Sequence, residues 1–140
     1  MDQLERLKAW LRSYPHWGEA QLHIDYLDAA PENAGLYPRG LQEVKRTEDV
    51  LGNVTVACRY QFRLYRMTGE GQDNAQWMLS FQQWVQQQSA MGLAPRFGDV
   101  PAKEQMRAEQ GALQEVSQAG TGVYSVILIA DFMKVYEVNE

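Results

Sequence analysis

The sequence holds one cysteine, Cys58, and two histidines, His16 and His23. One cysteine cannot close an internal disulfide. Neither histidine has a second histidine or a cysteine at ligand spacing, which argues against a zinc or iron site. His16 falls in a turn beside Trp17 and His23 on the exposed phase of a short strand, so both read as solvated or structural. Cys58 lies between Val56 and Tyr60 on an apolar phase and reads as a buried structural thiol, not a nucleophile. Nucleophile-elbow, P-loop and dinucleotide-binding glycine motifs are all missing. The glycine turns T-G-E-G and G-T-G are too short to make a convincing phosphate cradle. Asp25 and Asp28 are the nearest approach to a carboxylate pair, and at a strand end they read as solvated. With no catalytic constellation, the expectation is a protein that is not an enzyme and uses no cofactor and no metal.

Basic charge is also scarce. Thirteen Lys and Arg stand against eighteen Asp and Glu, for a formal charge of −5. A dedicated duplex-DNA binder usually carries a basic surface, so specific nucleic-acid binding is not expected. No apolar run is long enough to span a bilayer and no signal peptide is recognisable, so the expectation is a soluble cytosolic protein without membrane partners. The 140 residues fit a single domain, 1–140, able to bury a core without disulfides or metal.

What the chain does have is periodicity. In V-T-V-A-C-R-Y-Q-F-R-L-Y-R, Val54 to Arg66, every second residue through Leu64 is apolar or a thiol, the pattern of a strand with one buried face. Arg59, Arg63 and Tyr65 share the other face. Upstream, Leu41 to Leu51 reads as a strand joined to it by a turn at Gly52-Asn53. A turn of Gly52, Asn53 and Val54 sets Val50 opposite Val56 and Val44 opposite Phe62, with Glu43 meeting Arg63. A tighter turn would set Arg46 against Arg59, an unfavourable pair of like charges. Val123 to Val138 is strongly β, with Tyr124, Val126, Leu128, Ala130 and Phe132 on one face and Val123, Ile127, Ile129 and Met133 on the other. Apolar residues on both faces suit a central strand or one whose second face meets a partner.

Helices alternate with these strands. Asp2 and Glu5 have capping-box spacing ahead of Leu4, Leu7, Trp10 and Leu11, and the helix closes near Ser13 before Pro15. Leu22, Ile24 and Tyr26 alternate as a short strand. Ala29–Gly40 is rich in turn residues and reads as a long loop. A second helix, Asn74 to about Met91, presents Trp77, Met78, Phe81, Trp84 and Val85 to a core, with Gly92 as its C′ residue. Residues 103–118 fit either a helix or a strand pair bent at Gly111. The fold class is α+β: a single antiparallel or mixed β-sheet with a long helix packed across one face. Four tryptophans in so small a domain, the long loop and the doubly apolar last strand together favour an assembly surface.

The order helix, strand, long loop, β-hairpin, long helix, C-terminal β segment resembles phage and prophage tail-terminator proteins, also described as tail-completion, minor capsid or minor tail proteins. The stretches that carry the resemblance are L-H-I-D-Y-L-D-A-A-P-E-N-A-G-L-Y-P (22–38), E-D-V-L-G-N-V-T-V-A-C-R-Y-Q-F-R-L-Y-R (48–66), A-E-Q-G-A-L-Q-E (108–115) and G-V-Y-S-V-I-L-I-A-D-F (122–132). The resemblance implies a structural virion component without catalysis or cofactor, assembled in the host cytoplasm. It implies a homo-oligomeric, hexameric ring that ends tail-tube polymerisation, joins head-completion proteins and lets DNA pass, and it favours strand for 103–118. On this reading Arg59, Arg63, Tyr65, Glu43, Ile127 and Ile129 are the candidate subunit interface. The alternatives are another minor capsid or head–tail connector role, or a small α+β ligand-binding domain with a pocket between helix and sheet.

Overall fold

The structure, a computed structural model, describes residues 2–18, 21–25, 33–68, 74–116 and 122–138. It is α+β. The strands are β1 (Leu22–Ile24), β2 (Ala34–Glu48), β3 (Val54–Thr68), β4 (Gln105–Val116) and β5 (Gly122–Tyr136); the helices are α1 (Gln3–Arg12) and α2 (Asn74–Ala90), with one 3-10 turn at Pro101–Lys103. The strands form one mixed sheet in the order β1-β2-β3-β5-β4, in which only β1–β2 is parallel.

α1 begins as its sequence dictates. The Asp2 side chain accepts the Glu5 N–H at 2.8 Å, and Ser13 closes the C-terminal end. Leu7, Trp10 and Leu11 form its buried stripe. Both expected helices form, but the second, expected to run long across the sheet, has 17 residues and shares that face with the 10-residue α1. At about 1.5 Å per residue, α2 is roughly 25 Å long, and it packs chiefly along β4. Phe81 and Val85 are fully buried, whereas Trp77 and Trp84 are only partly so. The cover over Phe62 and Phe132 includes Phe97, from the segment after α2, at centroid distances of 6.2 and 5.7 Å.

Trp10, Trp77 and Trp84, expected on core-facing helix stripes though also counted toward an assembly surface, pack inside the molecule. Trp10 stacks on Trp84 at 4.8 Å, and Tyr14 meets Trp77, Phe81 and Trp84 at 5.3–5.4 Å. Each such pair adds about 0.5–1.5 kcal/mol beyond its area burial. They form a seam joining α1 to α2, closed by the Trp10 indole donating to Gln88 at 3.1 Å.

Half of the expected loop is strand. Ala34–Gly40 belongs to β2, because Ala34, Gly35 and Leu36 are buried between β1 and β3; residues 29–32 lie outside the described residues. Pro38 and Gly40 are tolerated because the ladder shifts register between them. The hairpin register also differs from expectation. Glu48 pairs with Val54, so the turn is Asp49–Asn53, and Glu43 lies opposite Cys58 while Tyr37 lies opposite Arg63. Asp49 sets this turn by accepting the N–H groups of Leu51 and Asn53 at 2.9 and 3.0 Å, and Gly52 supplies a φ of +89°. Residues 105–116 are strand β4, with irregular pairing between Glu109 and Ala112 where Gln110 has a φ of +57°.

Candidate functional site: the helix-free face of the sheet

Side chains alternate across a strand, so the register sorts the sheet into two faces. The face bearing Val56, Phe62, Leu64, Val126, Leu128 and Phe132 holds the core and both helices. The opposite face carries Arg59, Gln61, Arg63 and Tyr65 from β3, set beside Asp131, Ile129, Ile127 and Ser125 of β5 and then Gln105, Arg107, Glu109 and Ala112 of β4. Neither described helix lies on it.

Five of the six expected interface residues are therefore brought together: Arg59, Arg63, Tyr65, Ile127 and Ile129 share this face. Glu43 is not among them. Register places it beside Cys58 on the helix side, and it is paired with Arg46 at 2.7 Å instead of Arg63. The reason is the β-bulge between Glu43 and Lys45, a one-residue register shift that turns Glu43 to the other face. Contact with Arg46, chiefly through the hydrogen bond, lowers the Glu43 pKa.

The two arginines have different fates. Arg59 donates to Asp131 at 2.8 Å, and Asp131 also accepts from Arg107 at 3.0 Å; Arg107 in turn donates to Glu109 at 2.7 Å. Two cations and two anions thus balance within the sheet. Asp131 is the hub, and sequence reading passed over it. Its signal was an acid interrupting the apolar run V-I-L-I-A-D-F. Ile129, in the row between Gln61 and Arg107, is 7% exposed although no described helix covers it. Arg63 forms no ion pair or side-chain hydrogen bond among the described residues, and its Nε is buried without a partner. It sits between Tyr37 and Ile127. Tyr37 and Tyr65 meet edge to face at 5.3 Å.

The two edges of the sheet contrast. β4 is capped by α2 side chains: Ser89 Oγ accepts the Met106 N–H at 2.9 Å, and Gln82 donates to the Ala108 carbonyl at 3.2 Å. β2 pairs with β1 only through Ala34–Leu36, so its stretch from Tyr37 to Glu48 is an open edge among the described residues. Its bulges, Pro38 and the alternation of Glu43, Lys45, Arg46 and Glu48 are the usual guards against indiscriminate pairing.

On the helix side, at the start of α1, a groove of about 260 Å³ is lined by Leu4, Leu41, Cys58, Tyr60, Phe132 and Tyr136. It is smaller than the ~300–1,000 Å³ typical of small-molecule sites. Burial raises the Cys58 pKa, with the nearby Glu43 charge adding to it, which disfavours a thiolate nucleophile. No helix of the described residues is long and apolar enough to cross a membrane. No protein-family model matches this chain, and no curated protein matches it either.

Proposed function

We propose that this protein is a structural subunit of phage or prophage tail or head–tail assembly, a tail-terminator-like component that self-associates into a ring. Such a ring would end tube polymerisation and receive head-completion proteins. The observation that carries the reading is the helix-free face. It combines half-buried Ile127 and Tyr65, buried Ile129 and an Arg63 with no ion partner on a face that neither helix covers. Arginine and tyrosine around an apolar centre are the residues enriched in subunit interfaces. A ligand-binding role draws less support: the groove beside Cys58 is below ligand size, and the larger one of about 930 Å³ between α2 and β4 is lined mostly by polar and charged side chains, not by an apolar wall.

Light scattering and electron microscopy, with the protein alone and with purified tail tubes, test this. The wild type is expected to form rings or bind tube ends. Arg63→Glu combined with Ile127→Glu is expected to abolish both while the chain stays folded. Arg59 is left in place, since Glu there would face Asp131 and unfold the sheet locally. A wild type that neither associates nor binds tubes sinks the proposal.

A further inference from the structure

Two features along β3 keep side chains that the described fold does not cover or pair. One is the hairpin tip. Val50 is 102% exposed and Leu51 76%. They are displayed by a loop that Asp49 holds in one shape, helped by the Val138 N–H donating to Asn53 Oδ1 at 2.9 Å. An apolar pair on a preorganised loop loses little entropy on docking. Beside it, Glu48 is exposed and makes no ion pair or side-chain hydrogen bond among the described residues. The other feature is Arg63, a half-buried cation on the helix-free face that stays without an ion pair among the described residues once Arg59 and Arg107 are balanced by Asp131 and Glu109.

We infer that the hairpin tip of one copy docks on the helix-free face of a second copy. Val50 and Leu51 pack against Ile127, Tyr37 and Tyr65, and the Glu48 carboxylate accepts from the Arg63 guanidinium. This inference rests on the self-association proposed above and names the segment that occupies the face. Charge selects the occupant: among the described residues the face offers cations without an ion pair, half-buried Arg63 and exposed Lys45, and the tip pairs exposed apolar side chains with Glu48, an anion without an ion pair. The helix-side groove is a weaker receptor, because its Lys134 already has Asp99 as a partner at 3.5 Å. A molecule cannot satisfy its own Arg63. Val54, where the tip joins β3, lies nine positions from Arg63 on the same strand, about 30 Å at 3.3 Å per residue. The contact is therefore heterologous, joining two different patches, and such contacts close into rings or run on as filaments.

The test is a charge swap read by light scattering over a concentration series, alone and with tail tubes, with circular dichroism to verify folding. Glu48→Arg, Arg63→Glu and the tip variant Val50→Asp/Leu51→Asp are each expected to weaken association by about tenfold or more. Glu48→Arg/Arg63→Glu is expected to restore most of it. A swap variant no better than its single parents overturns the inference. So does a tip variant that associates like wild type while Arg63→Glu/Ile127→Glu does not, a result that leaves the ring reading standing. A wild type that never associates overturns both. Should Arg63→Glu fail to fold, the tip variant still decides, because its positions are solvent-exposed.

Discussion

Asp131 concentrates the electrostatics of this protein in one side chain. It accepts from Arg59 and Arg107 across three adjacent strands, at about a quarter exposure. Ion pairs this wet are worth less than buried ones, so Asp131→Asn is expected to cost only about 1–2 kcal/mol in urea melts. A change near zero would mean that the network is held by packing alone. Asp99 gives a second residue-level prediction. The Val135 N–H, donating at 2.8 Å, with Lys134 beside it, holds the Asp99 carboxyl below its ordinary range against an opposing push from burial. A depressed native pKa stabilises the fold above the unfolded-chain value of about 3.9 and loses that effect as pH falls through the native value. The stability gap between wild type and Asp99→Asn is therefore expected to be flat near neutrality and to shrink below about pH 4. Denaturant melts across that range check it; a gap that grows on acidification would reverse the sign. The chain's own pattern showed which residues point away from the core, because period-2 alternation survives any register. It did not show which charges pair, because partners on neighbouring strands depend on a turn whose length was misjudged.

At the scale of elements, that turn explains most of the difference between expectation and structure. Gly52-Asn53 marked the hairpin correctly, but the anchor is Asp49, whose carboxylate collects N–H groups from the far side of the loop. The turn alone would set Glu43 opposite Arg59, and it is the unforeseen bulge between Glu43 and Lys45 that moves Glu43 to the helix side. The Ala29–Gly40 stretch reads as loop from its Pro and Gly content. Yet Ala34–Gly40 pairs as strand because bulges absorb Pro38 and Gly40. Both helices were visible as 3.6-residue patterns, while their division of one sheet face was not, since nothing in a linear pattern says which helix covers which strand. Phe81 lies where α2 meets the aromatic seam and is fully buried. Phe81→Ala is expected to cost about 3–5 kcal/mol. A loss below about 1 kcal/mol in denaturant melts would show that α2 does not pack as described. Gly98 gives a complementary check on the segment after α2. A Cβ there would come within 2.4 Å of the Met133 carbonyl oxygen, a backbone atom that cannot step aside alone. Gly98→Ala is expected to destabilise by about 1–3 kcal/mol or more through overpacking, and to detach the Asp99–Val135 contact beside it. An unchanged melting midpoint would contradict that close approach.

At the scale of the whole molecule, salt separates the forces that the proposed contact between copies would use. Each chain carries a formal charge of −5. At 0.01 M ionic strength the Debye length is about 30 Å, so two approaching copies repel over most of their diameter. Near 0.15 M it falls to about 8 Å, which removes the long-range repulsion but leaves contacting charges largely intact. Near 1 M, at about 3 Å, even an exposed Glu48–Arg63 pair is screened, while the burial of Val50 and Leu51 is not weakened. Association through the tip is therefore expected to strengthen from 0.01 to 0.15 M and to weaken again toward 1 M. Arg63→Met removes the pair and keeps the apolar contact, so its association is expected to rise throughout. Sedimentation at matched protein concentrations distinguishes the two profiles. If the wild type rises monotonically as well, the apolar side chains alone hold the contact, and Arg63 has no partner across it.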